Sequence, residues 1–193
     1  MTTGLVIVDI QNDYFPGGQM SLEGSLQAAS QAQRLLGHFR SLGLPVIHVQ
    51  HISKGPGATF FLPGSGGIEI HESVRPLPRE PVVVKHYPNG FRDTLLLHRL
   101  LEADVRRLVL AGMMTHMCVD ATARAAFDQR FECTVAGDAC ATRDLVFQDA
   151  PIPAETVHRS FLAALHGVYA QVRTTDEILA DMRIGVRPVP RPG

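Results

Sequence analysis

The sequence predicts an α/β fold with three layers, α/β/α, in which helices cover both faces of a six-stranded parallel sheet. Continuous apolar runs such as Leu5–Ile10 are typical of strands that are buried on both faces of a sheet. Stretches with helical periodicity separate most of these runs, so successive strands are joined by crossover helices and lie parallel. The 193 residues, 45% of them hydrophobic, suit a single domain, which we predict over residues 1–182.

The N-terminal half begins with a strand over residues 5–10 and a helix over about 25–41. Apolar residues recur on one face of that helix, and Gly43 and Pro45 end it before a second strand at 46–49. The segment from His51 to Pro81 has no such pattern. It holds seven Gly or Pro residues between Gly55 and Gly67, which indicates a functional lid or a binding loop.

The C-terminal half continues the alternation of strands and helices. Its apolar β-branched runs predict four strands, and its periodic or alanine-rich stretches predict four helices. The predicted strands are 82–84, 107–111, 133–136 and 169–173, and the predicted helices are 94–101, 119–129, 154–166 and 175–182. Residues 183–193 contain three prolines, and we predict an extended tail there.

Charge and composition exclude several classes of partner. The net charge is −1 without a basic cluster, so we expect neither nucleic acid nor a membrane surface as a partner. No apolar run reaches the ~20 residues of a membrane span, and the N-terminus lacks the basic start of a signal peptide. The three cysteines fit a reducing compartment, which predicts a cytoplasmic protein.

Three chemically complementary groups, Asp9, Lys85 and the Gly112–Cys118 segment, lie at or just after the carboxyl ends of three predicted strands. Asp9, Lys85 and Cys118 should therefore meet at one edge of the sheet, where ligands of such sheets bind. Cys118 precedes a predicted helix, so we expect the helix dipole and the Lys85 ammonium to lower its pKa. Asp9 could accept the thiol proton and later activate water.

Each of these residues also has an ordinary structural interpretation. A free cysteine is most often a small buried hydrophobe, and we interpret Cys133 in a strand and Cys140 in a loop in that way. Asp9 could cap a turn, and Lys85 could be a solvated surface charge. Apolar strands of a buried sheet nevertheless deliver both to the edge where Cys118 lies, which favours the functional interpretation.

The sequence resembles the isochorismatase-like cysteine hydrolases, a family that includes nicotinamidases and N-carbamoylsarcosine amidases. The matching motifs are Val6–Phe15, Val84-Lys85 with Asn89-Gly90-Phe91, Leu110–Val119 and Val135–Ala141. The resemblance implies the strand order 3-2-1-4-5-6, an Asp9–Lys85–Cys118 triad and a cis peptide between Met113 and Met114. It also implies an oxyanion hole formed by the N–H groups of Met114 and Cys118.

The resemblance further implies substrate contacts and an assembly. The residues expected to contact or support the substrate are Gln11, Phe15, His51, Phe91, Thr115 and His116. The expected partners are a small-molecule substrate and further copies of the chain in a homo-oligomer, a dimer or tetramer, whose loops help to close the site.

The sequence also departs from parts of the family. Nicotinamidases carry an Asp-x-His metal motif after the second strand, where this chain reads Gln50-His51-Ile52-Ser53, so we expect no metal and no other cofactor. His48 and His51 remain alternative ligands. The family's vinyl-ether hydrolases lack the cysteine, so Cys118 favours cleavage of an amide, ureido or lactam C–N bond through a thioester. Vinyl-ether hydrolysis and a silent binding protein are the alternatives.

Overall fold

The computed structural model describes residues 2–185, which form a three-layer α/β/α domain. The strands are β1 Thr2–Val8, β2 Val46–His51, β3 Val82–Lys85, β4 Val105–Met113, β5 Glu132–Ala141, β6 Leu145–Phe147, β7 Ala150–Ile152 and β8 Gln171–Arg173. The helices are α1 Ser25–Ser41, α2 Leu96–Glu102, α3 Asp120–Asp128, α4 Ala154–Leu165 and α5 Thr175–Gly185. A π-helical turn, Thr115–Val119, precedes α3. No helix within residues 2–185 combines the length and the hydropathy of a bilayer span.

The main sheet of the described chain has the strand order β3-β2-β1-β4-β5-β8, and every neighbouring pair is parallel. This order confirms the predicted one, because β8 is the sixth strand of the prediction. The order reverses direction between β1 and β4. The carboxyl ends of strands on either side of such a switch point form a crevice for ligands.

Alternate residues of β1 contribute to two separate hydrophobic clusters. Leu5 and Ile7 pack with buried residues of α1 and α5, whereas Val6 and Val8 pack with those of α2, α3 and α4. All four side chains are buried, as the unbroken apolar run predicts for a strand covered on both faces. The burial of apolar side chains in these two clusters is the main source of the domain's stability.

The structure corrects the predicted course of the chain after residue 136. β5 continues to Ala141 because, after an irregularity opposite β4, Cys140 and Ala141 pair with Gly112 and Met113. Cys140 therefore lies in a strand and not in a loop. The sequence concealed the extension, since Gly137 and Asp138 are both poor strand formers. The antiparallel hairpin β6–β7 was not predicted either.

The end of the domain also differs from the prediction. α5 continues to Gly185, three residues beyond the predicted limit of the domain at residue 182. The rest of the predicted tail, residues 186–193, lies outside the described residues.

A cluster around Glu80 anchors the chain just before β3. The Glu80 carboxylate accepts two hydrogen bonds from Arg40, one from the Leu77 N–H, and lies 2.9 Å from Nε2 of the buried His48. Burial alone would raise the pKa of Glu80, but the hydrogen bonds from Arg40, Leu77 and His48 bring it down to about 2. The cluster joins α1, β2 and the entry to β3, the strand that ends at Lys85.

We predict that the Glu80 cluster makes stability fall in acid. A carboxylate whose folded pKa lies below its unfolded value near 4.5 stabilises the fold above that value, and its contribution is lost as the pH falls from 4.5 towards 2. Glu80→Gln should lower the free energy of unfolding by about 3 kcal/mol at pH 7. About half of this difference between the variant and the wild type should have disappeared near pH 3. Urea unfolding over this pH range measures it.

Glu102→Gln is the matched control. Glu102 pairs with Arg99 on the surface, and about half of each side chain is exposed, so its loss should cost less than about 1 kcal/mol at every pH. An effect of Glu80→Gln as small as that of Glu102→Gln, or one that does not change with pH, would contradict the assignment.

Candidate active site

Three strand ends bring Asp9, Lys85 and Cys118 together. Asp9 directly follows β1 and has a positive φ of 50°, Lys85 is the last residue of β3, and Cys118 lies in the π-helical turn between β4 and α3. All three are buried, with 0%, 0% and 5% of their surfaces exposed. The convergence that the sequence predicted at one edge of the sheet is therefore present in the structure.

The Lys85 ammonium is the centre of this cluster. Its Nζ lies 2.6 Å from Oδ2 of Asp9 and 3.2 Å from Sγ of Cys118. A third contact, 2.8 Å long, joins Nζ to Nδ1 of His51, which is the register partner of Lys85 in the adjacent strand. An ammonium has three N–H groups and no acceptor. Two of these three atoms are its hydrogen-bond partners, and the Asp9 carboxylate is held as an ion pair, with neither of its buried oxygens hydrogen-bonded within the described residues.

The environment assigns the resting charges. Burial lowers the pKa of Lys85, but the Asp9 carboxylate first, and then the contact with Cys118, outweigh burial, so the pKa of Lys85 is raised and it stays an ammonium. Burial raises the pKa of Asp9 against the opposing effect of Lys85. A carboxylate with a raised pKa is a better proton acceptor than an exposed one.

The pKa expected for Cys118 from its position was wrong in direction. Burial is the largest influence and raises the pKa of the thiol, the Asp9 carboxylate raises it further, and Lys85 only partly compensates. A position at the start of a helix lowers the pKa of a thiol that is solvated. The Cys118 thiol is only 5% exposed, so burial has the larger effect on its pKa. The resting group is therefore a neutral thiol, and an oxygen of the Asp9 carboxylate lies within 4.8 Å of its sulfur.

The turn that carries Cys118 follows β4 without an intervening loop. The peptide bond between Met113 and Met114 is cis, and the carbonyl of Met114 accepts hydrogen bonds from the N–H groups of Met117 and Val119. Met114 and Cys118 are thus held in one short turn. Their N–H groups as an oxyanion hole stay a prediction.

The contacts of Gln11 and Phe15 are mainly supporting ones. The Gln11 amide donates to the carbonyls of His51 and Ile68, and its Oε1 accepts from the His51 N–H, so it is fully committed to the backbone. Phe15 stacks on His71, with ring centroids 3.7 Å apart. Gln11, with no exposed surface, acts as a structural support.

The other predicted contact residues lie in two places. Thr115 is buried, donates to the Ala141 carbonyl and lies 2.9 Å from Nδ1 of His158. His116 forms a hydrogen bond with Thr142 and meets the ring of Phe161 edge-on. Phe91 packs against Phe131, with the ring centroids 6.2 Å apart. Their contacts with a substrate stay predictions.

Sequence reasoning missed the residues that fasten the long loop over the site. Phe61 has no exposed surface, its ring centroid lies 5.8 Å from that of His51, and it packs on Tyr14. The Phe61 N–H donates to Oδ2 of Asp13 at 2.6 Å, and its carbonyl accepts from the Ser53 N–H. The only sequence signal was the aromatic pair at 60–61 within a loop otherwise rich in Gly and Pro.

A metal ion would have to compete with Lys85 for the centre of the cluster. Asp9, His51 and Cys118 each offer a ligand atom, and these atoms lie within 4.8 Å of one another. The ammonium lies within hydrogen-bonding distance of all three, so it already supplies the positive charge there. His48, the other histidine considered as a ligand, is bound to Glu80 instead.

Comparison with known proteins identifies a family for this chain. The family model described as the isochorismatase domain matches residues 3–177. The chain belongs to the isochorismatase family. This finding confirms the resemblance inferred from the motifs around Asp9, Lys85 and Cys118.

Individual relatives cover most of the chain. An uncharacterized isochorismatase family protein of Bacillus subtilis, YddQ, is 55% identical over 179 residues, 93% of this chain and 99% of that protein. A streptothricin hydrolase of Streptomyces noursei is 36% identical over 141 residues, 73% of this chain and 50% of the relative. The solved N-carbamoylsarcosine amidase of Thermoplasma acidophilum has a TM-score of 0.78 and 26% identity, and the match covers 91% of this chain and 98% of that one. The chain is therefore a member of a family of hydrolases.

We predict that Asp9 and Lys85 are strongly coupled in stability. Lys85→Met should lower the free energy of unfolding by about 3–5 kcal/mol, because it leaves the Asp9 carboxyl buried without its counter-charge. Asp9→Asn combined with Lys85→Met should cost less than Lys85→Met alone, since the double variant buries no unpaired charge. Urea unfolding at pH 7 of both single variants and the double variant measures the coupling. Costs that simply add would mean that the two groups do not form the pair.

Proposed function

We propose that the protein is a cysteine hydrolase that cleaves a C–N bond of a small amide, ureido compound or lactam through a thioester on Cys118. The observation that supports this most is the contact of one buried ammonium with both a carboxylate and a thiol, at 2.6 and 3.2 Å. A nucleophile, a base and a cation in one buried site are the groups that acyl transfer requires. The names of two relatives, an amidase and a streptothricin hydrolase, support the same chemistry.

The first half of the proposed reaction forms the acyl-enzyme. Asp9 takes the proton from Sγ of Cys118 as the sulfur attacks the substrate carbonyl carbon and the C=O electron pair moves onto oxygen. Lys85 stabilises the sulfur's charge, and the N–H groups of Met114 and Cys118 stabilise the oxyanion. The carbonyl re-forms, the C–N bond breaks, and the leaving nitrogen takes the proton from Asp9. The products are an amine, or ammonia, and a thioester.

The second half of the reaction hydrolyses the thioester. Asp9, again a carboxylate, takes a proton from water as the water oxygen attacks the thioester carbon. The C–S bond then breaks, and the sulfur regains the proton from Asp9, which restores the neutral thiol of the resting site. The raised pKa of Asp9 suits a group that alternates between accepting and donating a proton.

The burial of the site constrains substrate entry. A cavity of about 610 Å³ is lined by Phe15, His71 and residues of the long loop, but Asp9, Lys85 and Cys118 do not line it. We propose that the loop around Phe61 moves aside to admit substrate to the thiol. The homo-oligomer and the cytoplasmic location stay predictions.

We predict that Cys118→Ala abolishes amine or ammonia release from a panel of small amides, ureido acids and lactams. The loss should be about 10⁴-fold or more for an active substrate, since no other group forms the acyl-enzyme. Hydroxylamine added to the wild-type protein should divert the thioester to a hydroxamate without slowing amine release. Mass spectrometry of the products and an assay for released amine measure both effects.

Cys133→Ala provides the matched control for this experiment. Cys133 is as buried as Cys118 but lies in β5, and its only side-chain hydrogen bond within the described residues is to the carbonyl of Phe131. Its loss should leave turnover unchanged. Turnover that survives in Cys118→Ala without any hydroxamate from the wild type would instead favour direct attack by water, as in vinyl-ether hydrolysis.

A further inference from the structure

The third acceptor of the Lys85 ammonium belongs to neither the predicted triad nor the turn around Cys118. Nδ1 of His51 lies 2.8 Å from Nζ, and the register of β2 and β3 places the two residues side by side. We propose that His51 is a positioning residue that holds the Lys85 ammonium between Asp9 and Cys118. The role rests on the function proposed above, because it acts through Lys85 and does not itself take part in bond making.

The hydrogen bond determines the form of the imidazole. A protonated amine can only donate, so Nδ1 must accept and the single ring proton is on Nε2. Burial first, and then the neighbouring Lys85 and His86, lower the pKa of His51 to about 3. The ring therefore stays neutral and in one tautomer over the whole pH range in which a hydrolase of this kind would work.

The backbone of His51 is held as firmly as its ring. The Gln11 amide binds both the N–H and the C=O of His51, at 2.8 and 2.9 Å, and extends to the Ile68 carbonyl. Phe61 covers the ring from the loop side, with the centroids 5.8 Å apart. Nδ1 is therefore a fixed acceptor, which is what a positioning role requires.

The ammonium needs a third acceptor because its contacts with the other two differ in strength. The contact with Asp9 is short and charge-assisted, whereas the contact with the thiol is longer and involves a weak acceptor. Without Nδ1, one N–H would be buried without a partner, and the ammonium would reorient towards the carboxylate. The contact with Cys118 is the one that would weaken, and the thiol would lose the charge that stabilises its thiolate.

A double-mutant cycle on thiol reactivity tests the proposal without any substrate. The rate of Cys118 alkylation by iodoacetamide at pH 8 is measured by mass spectrometry in wild type, His51→Leu, Lys85→Met and the double variant. His51→Leu should slow alkylation about tenfold in the wild-type background, the equivalent of one pKa unit, and should have no further effect when Lys85 is absent. Any change in reagent access is common to both backgrounds and cancels.

Two variants separate positioning from packing. His51→Asn, whose amide oxygen can replace the Nδ1 acceptor, should alkylate within about threefold of wild type. Phe61→Leu loosens the same packing without touching the hydrogen bond, so it should change the rate equally with and without Lys85. Should His51→Leu fail to fold, His51→Gln, whose amide lies too far along the side chain, takes its place in the cycle.

The alkylation cycle tests the role of His51 independently of the hydrolysis reaction. If no compound of the substrate panel were cleaved, the proposed hydrolysis would be contradicted but the alkylation cycle could still be interpreted. Equal slowing by His51→Leu in both backgrounds, or His51→Asn as slow as His51→Leu, would overturn the positioning role.

Discussion

The buried ammonium of Lys85 is the interaction on which the rest of the site depends. It neutralises Asp9, it is the only positive charge in contact with Cys118 within the described chain, and it uses its third N–H on His51. A charge with no exposed surface is costly unless it is paired, and Lys85 is paired with the Asp9 carboxylate while its other N–H groups have acceptors. The surrounding structure therefore has to place three acceptors around a single nitrogen atom.

The fold provides those acceptors through strand ends. β1, β2 and β3 are adjacent and parallel, so residues that end them or follow them directly lie side by side at one edge. Asp9, His51 and Lys85 are brought together in this way. Cys118 lies in the turn that follows β4, on the other side of the switch point. Phe61 of the long loop, held by the hydrogen bond from its N–H to Asp13, covers the ring of His51, and the burial of the site strengthens its electrostatic contacts.

Most of the architecture and the meeting of Asp9, Lys85 and Cys118 could be predicted from the sequence, because apolar runs and their ends are local signals. Properties that depend on tertiary environment could not. The direction of the Cys118 pKa shift was wrong because burial outweighs the position before a helix. The extension of β5 was missed because Gly137 and Asp138 carry no strand signal. His51 lay at the right edge, but its bond to Lys85 depends on the register of β2 against β3.

The resting site holds a protonated Lys85 in contact with a carboxylate, a neutral imidazole and a neutral thiol, and this distribution of protons can be observed. A neutron structure of the perdeuterated protein near neutral pD tests it most directly, since deuterons are located and not inferred. We expect three deuterons on Nζ directed at Asp9, His51 and Cys118, none on Nδ1 of His51, and one on the sulfur. A bare sulfur, or a deuteron on Nδ1 of His51, would contradict it.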